Sequence, residues 1–88
     1  MIILLSGDGK YSVEGTDLDS VLESGRRLYL LLKTESYEEF TRSLYQLHSY
    51  VKTNGRQVEI LRSADVIVPP LNCDPRILGS IMGLHSAP

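Results

Sequence analysis

The chain has little of what disulfide-held, exported or nucleic-acid-binding proteins need. Its one cysteine, Cys73, cannot form an internal disulfide, which fits a reducing compartment. Nine basic residues stand against eleven acidic ones, so the net charge is −2 and no excess of positive charge is available to attract a phosphate backbone. These shortages argue against nucleic acid as a ligand.

Long hydrophobic stretches are also missing. The apolar run at residues 2–5 is far shorter than the roughly 20 residues that a membrane-spanning helix needs. It lacks the basic flank and the small-residue cleavage site of a signal peptide, and neither helix pattern has the Lys-rich polar face that binds membrane surfaces. We therefore expect a cytoplasmic protein that reaches a membrane only indirectly, through a partner.

Residues that carry catalytic or metal-binding chemistry do not cluster in the sequence. His48 has no second His or Cys at metal-ligand spacing, so we expect a surface or boundary histidine. Cys73 has no neighbouring base and is read as a small buried or half-buried apolar residue. Glu38 and Glu39 are adjacent, about 100° apart on a helix, which suits two capping charges better than two carboxylates acting on one bond. We predict no catalytic residue, no cofactor, no metal site and no enzyme activity.

What is present suits a small folded domain. With 42% hydrophobic residues among 88, the chain has enough apolar surface to fold, although its core is thin and supplies only a few kcal/mol of net stability. Residues 1–88 are expected to form a single α+β domain with an N-terminal β-hairpin, an antiparallel helical hairpin, an extended edge strand with Pro-Pro and a short C-terminal helix. The predicted ranges are 1–14, 16–54, 57–70 and 74–83.

The first segment has the pattern of a hairpin. Residues 1–5 are continuously apolar, Asp8-Gly9 can adopt the positive φ values of a tight primed turn, and residues 10–13 alternate in polarity. Tyr11 and Val13 are two positions apart, so we expect them on one face of the returning strand.

Two helix patterns follow, each with its own start signal. Thr16 is the predicted N-cap of the first, and Ser36 with Glu39 makes a capping box for the second. Gly55 is expected to end the second helix in the left-handed conformation, and only about two residues, 34 and 35, separate the helices, so the pair must be antiparallel. The apolar stripes are Leu18, Val21, Leu22, Gly25, Leu28, Tyr29 and Leu32 in the first helix and Phe40, Leu44, Leu47 and Val51 in the second.

Four large side chains lie off these stripes. Leu30 and Leu31 point away from the first stripe at 100° per residue, and Tyr45 and Tyr50 flank the second. One interpretation is that they pack against the rest of the domain. The other is that they form an exposed patch for a second protein, because Tyr is enriched at interfaces. We take these four as candidate protein-binding residues.

The last third of the chain returns to extended structure and ends in a helix. Residues 57–61 alternate in polarity and are read as a strand or an extended packing segment. Residues 66–68 are β-branched and are stopped by Pro69-Pro70, which predicts an edge strand. Asp74-Pro75 is a helix start, with Gly83 placed to end the helix.

This order of elements, with two sequence blocks, resembles the PspA-associated (PspAA) domain family. The blocks are Gly7-Asp8-Gly9-Lys10-Tyr11 and Ser63-Ala64-Asp65-Val66-Ile67-Val68-Pro69-Pro70, on either side of the helix pair. The resemblance covers essentially the whole chain. It implies a non-enzymatic adaptor or regulator that binds a coiled-coil, phage-shock-protein-A-like partner in the envelope stress response.

Two other functions remain open from the residues themselves. In one, the cleft between hairpin and helices is a small-ligand or catalytic site lined by Tyr11, His48 or Cys73, which requires His48 and Cys73 to converge in space. Alternatively, the off-stripe residues would make a symmetric dimer and the chain would be a self-associating structural module.

Overall fold

The computed structural model describes residues 1–81. In chain order these residues form β1 (Ile2–Leu5), β2 (Gly9–Ser12), α1 (Gly15–Lys33), α2 (Tyr37–Asn54), β3 (Arg56–Val58), β4 (Val66–Val68) and α3 (Pro75–Ile81). The predicted α+β class, with its β-hairpin, helical hairpin, proline-stopped strand and short final helix, is confirmed.

The strands of the described chain form a four-stranded sheet in the order β3-β2-β1-β4. β1 pairs antiparallel with β2, so that Ile3 lies opposite Tyr11, and parallel with β4, so that Leu5 lies opposite Val68. β3 pairs antiparallel with β2. β4 is therefore an edge strand, as its β-branched run before two prolines predicted, and the ambiguous segment after the helices contributes a strand only at residues 56–58.

One face of the sheet carries the core. Tyr11 and Val13 are both buried on this face, which confirms their predicted alternation, and the buried side chains of both helices pack against them. The helix residues in this cluster are Val21, Leu28, Leu31 and Leu32 of α1 and Phe40, Leu44, Leu47 and Val51 of α2. The helical hairpin thus covers one side of the sheet.

The turn between β1 and β2 lies one step earlier than predicted. β2 begins at Gly9, opposite Leu5, so the turn consists of residues 6–8, and Gly7 is the residue with positive φ (84°). The Asp8 N–H donates to the Leu5 carbonyl at 2.9 Å. The expectation of positive φ at Asp8-Gly9 was wrong because Gly9 is already held in the strand ladder.

The start of α1 and the end of α2 also differ from the prediction. α1 begins at Gly15 with Glu14 as N-cap and makes no side-chain cap hydrogen bond, so the cap at Thr16 was wrong. Gly55 is extended (φ −90°, ψ 167°) and not left-handed, because the chain passes from it directly into β3. In the turn between the helices, it is Glu35 that has positive φ (58°).

Ser36 is the N-cap of α2, as predicted, but it does not form the capping box with Glu39. Its hydroxyl lies 3.0 Å from the hydroxyl of Thr34. The Thr34 hydroxyl in turn donates to the carbonyl of Leu30 at 3.0 Å. The two hydroxyls therefore form hydrogen bonds at the end of α1 and within the connection, and not with the N–H groups in the first turn of α2.

The connection between β3 and β4, residues 59–65, crosses the face of the sheet opposite the helices. Lys10 alternates with the buried Tyr11 and so projects from this outer face, where its Nζ donates to the carbonyl oxygens of Ile60 and Arg62. At the end of the connection that precedes β4, the Asp65 carboxylate accepts a hydrogen bond from the Ile2 N–H at 2.8 Å. The connection explains why Ile2, an outer-face residue, is buried.

α3 starts where the sequence predicted. The N–H of Arg76 donates to Asp74 Oδ1 at 3.0 Å, the bond expected of an Asp N-cap before Pro75. Leu78 packs against the core from this helix. The predicted end at Gly83 lies outside the described residues.

Candidate functional site

An apolar groove of about 620 Å³ opens beside β4. One wall is α1, which contributes Leu22, Gly25 and Tyr29. The opposite wall is the β4 strand with Pro69-Pro70, and the C-terminal segment adds Leu78. The groove therefore lies between a helix, a sheet edge and a short helix, on the same side of the sheet as the core.

The groove exists because the apolar stripe of α1 is wider than the core can cover. Leu28 and Leu32 are buried in the core cluster, whereas Tyr29 is 49% exposed on the adjoining strip of the same helix. Leu22, Gly25 and Tyr29 are spaced three and four residues apart and so share one face of α1. A Cβ built on Gly25 would meet no atom of another described residue within 4 Å, so the absent side chain deepens the groove at this position.

Few polar groups line the groove. Ser6 and the half-buried Cys73 are among its lining residues. Burial raises the pKa of the Cys73 thiol, which keeps it protonated and weakly nucleophilic at neutral pH. The surface suits the binding of apolar side chains better than the chemistry of a reaction.

His48 is buried, with 2% of its surface exposed, so the prediction of a surface or boundary histidine was wrong. Its Nε2 lies 2.8 Å from the Pro69 carbonyl oxygen, which favours the tautomer that carries its proton on Nε2. Its Nδ1 is buried without a hydrogen-bond partner among the described residues. The ring thus fastens the Pro-Pro segment to α2. Of His48 and Cys73, only Cys73 lines the groove.

A second set of polar contacts, among three side chains, connects the β1–β2 turn to α2. The Tyr11 hydroxyl donates to Asp8 Oδ1 at 3.2 Å, and Lys52 Nζ pairs with Asp8 Oδ2. The hydrogen bond from the Lys52 ammonium lowers the pKa of Asp8, and burial together with the Asp8 contact raises the pKa of Tyr11. Tyr11 lies in the core and not in the groove, so this group stabilises the fold.

The four predicted protein-binding residues divide into two pairs. Leu30 and Tyr45 are 56% and 63% exposed. Leu31 is part of the core, and the half-buried Tyr50 donates its hydroxyl to Asp17 Oδ1 at 2.9 Å. Within this set, Leu30 and Tyr45 are the side chains that remain available to a partner.

Sequence reasoning did not identify the groove. It assigned Leu22, Gly25 and Tyr29 to the seam between the helices, whereas they face the opening beside β4. The signal that could have separated them is Gly25, a glycine in the middle of a helix, where it is unfavourable relative to Ala unless something approaches closely.

Residues 1–81 contain no group of three or more His, Cys, Asp or Glu placed to hold a metal ion. No helix in that part of the chain is both long enough and apolar enough to cross a membrane.

Neither the curated proteins nor the solved structures include a match to this chain. A family model does match: PspAA, described as PspA-Associated protein, covers residues 1–75. This range includes the hairpin, both long helices, all four strands and the Pro-Pro segment. As the two sequence blocks predicted, the chain belongs to the PspAA family.

Proposed function

We propose that the chain is a non-enzymatic adaptor or regulator that binds a PspA-related coiled-coil protein in the envelope stress response, and that the groove beside β4 receives one of the partner's helices. The observation that carries the proposal is an apolar groove that residues 1–81 leave open, in a protein whose family is described as PspA-associated.

The shape of the groove supports a helical ligand. Amphipathic helices present apolar side chains at intervals of three and four residues, and they dock in grooves whose walls are apolar. The face of α1 formed by Leu22, Gly25 and Tyr29 has the same spacing, so two helices can pack along it with interlocking rows of side chains.

Gly25 gives this argument an energetic basis. A glycine within a helix is less favourable than alanine by roughly 1 kcal/mol. None of the described residues packs against the missing side chain, because the space that a Cβ would occupy is open among residues 1–81. A partner helix that approaches α1 closely at this position would make use of the missing side chain.

The proposal is tested by light scattering of the 88-residue chain, alone and mixed with a purified PspA-related coiled-coil protein. We expect a complex of greater mass and its loss in Gly25→Trp, whose side chain fills the groove. Circular dichroism checks that this variant is folded, which is expected because a Cβ at position 25 meets no other described residue within 4 Å. A wild-type chain that associates with no such protein would refute the proposal.

The matched control is the double variant Leu30→Ser/Tyr45→Ser, which removes the exposed members of the predicted patch. The groove assignment requires this variant to bind like the wild type. If instead it loses binding while Gly25→Trp keeps it, the partner docks on the patch and not in the groove. A mass that rises with the concentration of the isolated chain would favour a self-associating module.

A further inference from the structure

The connection that crosses the outer face of the sheet exposes two adjacent aliphatic side chains. Ile60 is 65% exposed and Leu61 is 90% exposed. This face points away from the helices, and residues 59–62 do not line the proposed partner groove.

The backbone around Leu61 is held in place from the sheet side. Lys10 Nζ donates to the carbonyl oxygens of Ile60 and Arg62, the residues on either side of Leu61 in its tripeptide. The Arg62 N–H donates to the Glu59 carbonyl at 3.1 Å and closes a turn. With these backbone groups already paired, the Leu61 side chain can leave water without desolvating the carbonyls beside it.

Basic residues surround the turn at residues 59–62, which we call the corner. Lys10 and Arg56 lie on the outer face, because Arg56 is opposite Ser12 in the β2–β3 ladder, and Arg62 follows Leu61 directly. Glu59 is the acidic residue in the same turn. With Asp65 at the far end of the connection also counted, three cations stand against two anions, a positive balance in a chain whose net charge is −2.

We propose that this corner contacts an anionic lipid surface, with Ile60 and Leu61 inserted at the boundary of headgroups and acyl chains and with Arg56 and Arg62 beside the phosphates. Aliphatic side chains flanked by basic residues match the two layers that a bilayer interface presents, an anionic outer layer and an apolar inner one. The inference is independent of the proposed partner, because none of these four residues lines the groove. It also goes beyond the sequence-based expectation, in which a membrane is reached only through a partner.

Vesicle flotation tests the proposal with the 88-residue chain. Vesicles of phosphatidylcholine alone are compared with vesicles that also contain phosphatidylglycerol. We expect the chain to float with the anionic vesicles and the Ile60→Ser/Leu61→Ser variant to lose about tenfold or more of this binding, since two buried aliphatic side chains are removed. Both positions are exposed, so this variant should melt like the wild type.

Charge is tested with a matched pair of variants. Arg56→Gln/Arg62→Gln should abolish the preference for anionic vesicles, whereas Arg56→Lys/Arg62→Lys should retain it. Leu30→Ser/Tyr45→Ser, which removes exposed apolar side chains from the helices, should bind vesicles like the wild type.

The inference is overturned if the wild-type chain does not float with anionic vesicles, or if Ile60→Ser/Leu61→Ser floats as well as the wild type. It is also overturned if that variant instead converts a dimer of the isolated chain into a monomer, because the corner would then be an interface between copies.

Discussion

Two glycines on the helix side of the sheet lie in opposite surroundings. A Cβ built on Gly55 would lie 2.7 Å from the Val51 carbonyl oxygen and 3.0 Å from Val13 Cγ2, while a Cβ built on Gly25 would meet no atom within 4 Å. The first glycine is required by the packing of the chain and the second is not. The core is therefore closed on the side of β2 and β3 and open on the side of β4.

The difference follows from how the chain reaches each side. At the closed side α2 passes straight into β3, so Gly55 brings the end of the helix against the end of β2. At the open side β4 has three residues and the described part of α3 has seven, and within residues 1–81 they do not cover the wide apolar strip of α1. The strip that residues 1–81 leave open is the surface we assign to a partner.

The largest expected effect is on the closed side. Leu44 is 1% exposed and does not line the groove, so Leu44→Ala should lower the free energy of unfolding by about 2–5 kcal/mol through lost burial and the cavity left behind. Urea denaturation followed by circular dichroism measures it. Tyr29→Ala, in the open groove, is the matched control and should change stability by less than about 1 kcal/mol. Equal losses in the two variants would mean that the groove is closed in solution.

Gly55→Ala should be the next largest change. The new methyl group would overlap the Val51 carbonyl and press on Val13, and overpacking of this kind lowers the free energy of unfolding by about 1–3 kcal/mol. The same urea titration measures it. An unchanged urea midpoint would show that the junction of α2 and β3 relaxes to accept the methyl group. The contrast between a closed side at Gly55 and an open side at Gly25 would then not hold.

Gly25→Ala should act in the opposite direction. The side chain enters open space in a helix of normal geometry, so the free energy of unfolding should rise by about 0.5–1 kcal/mol. Thermal unfolding by calorimetry detects the increase. A decrease would indicate that other atoms of the chain occupy the groove at Gly25.

The smallest expected effect on stability concerns the ion pair between Asp8 in the β1–β2 turn and Lys52 of α2. Lys52 holds the pKa of Asp8 below its ordinary value of 3.8, so the folded chain binds this proton less readily than the unfolded chain does. The contribution of Asp8 to stability is therefore complete above pH 3.8 and is lost as the pH falls through the lowered pKa of the folded state.

Asp8→Asn should remove this part of the acid dependence while leaving the rest of the pH profile in place. Urea midpoints measured between neutral and acidic pH for the two proteins give the comparison. If both profiles have the same slope in the acidic range, the Asp8–Lys52 pair does not stabilise the folded state.

The features that sequence reasoning predicted correctly are those with a local signal. The long α2 stripe, the alternation of Tyr11 and Val13, the stop at Pro69-Pro70 and the Asp74 cap each depend on residues within a few positions of one another. The errors at Thr16, Asp8-Gly9 and Gly55 concern which residue begins or ends an element. At Gly9 and Gly55 the adjoining strand overrides the local preference.

The groove was not predicted from the sequence, and the binding patch stays a prediction. Leu30 and Tyr45 are exposed as a binding patch requires, whereas Leu31 and Tyr50 are engaged within the chain. His48 contacts the carbonyl of Pro69, which is more than twenty residues away. No local sequence pattern reveals this contact or the burial of the ring.

The sequence by itself determined the α+β order, the two antiparallel helices, the edge strand and the family, because periodicity and turn residues act over short distances. Only the tertiary structure decided which part of the α1 stripe is covered, that β4 lies parallel to β1, and that residues 59–65 cross the outer face with Leu61 exposed. These features depend on contacts between residues far apart in the chain, and a helical stripe has the same spacing whether a sheet, a partner or water lies against it.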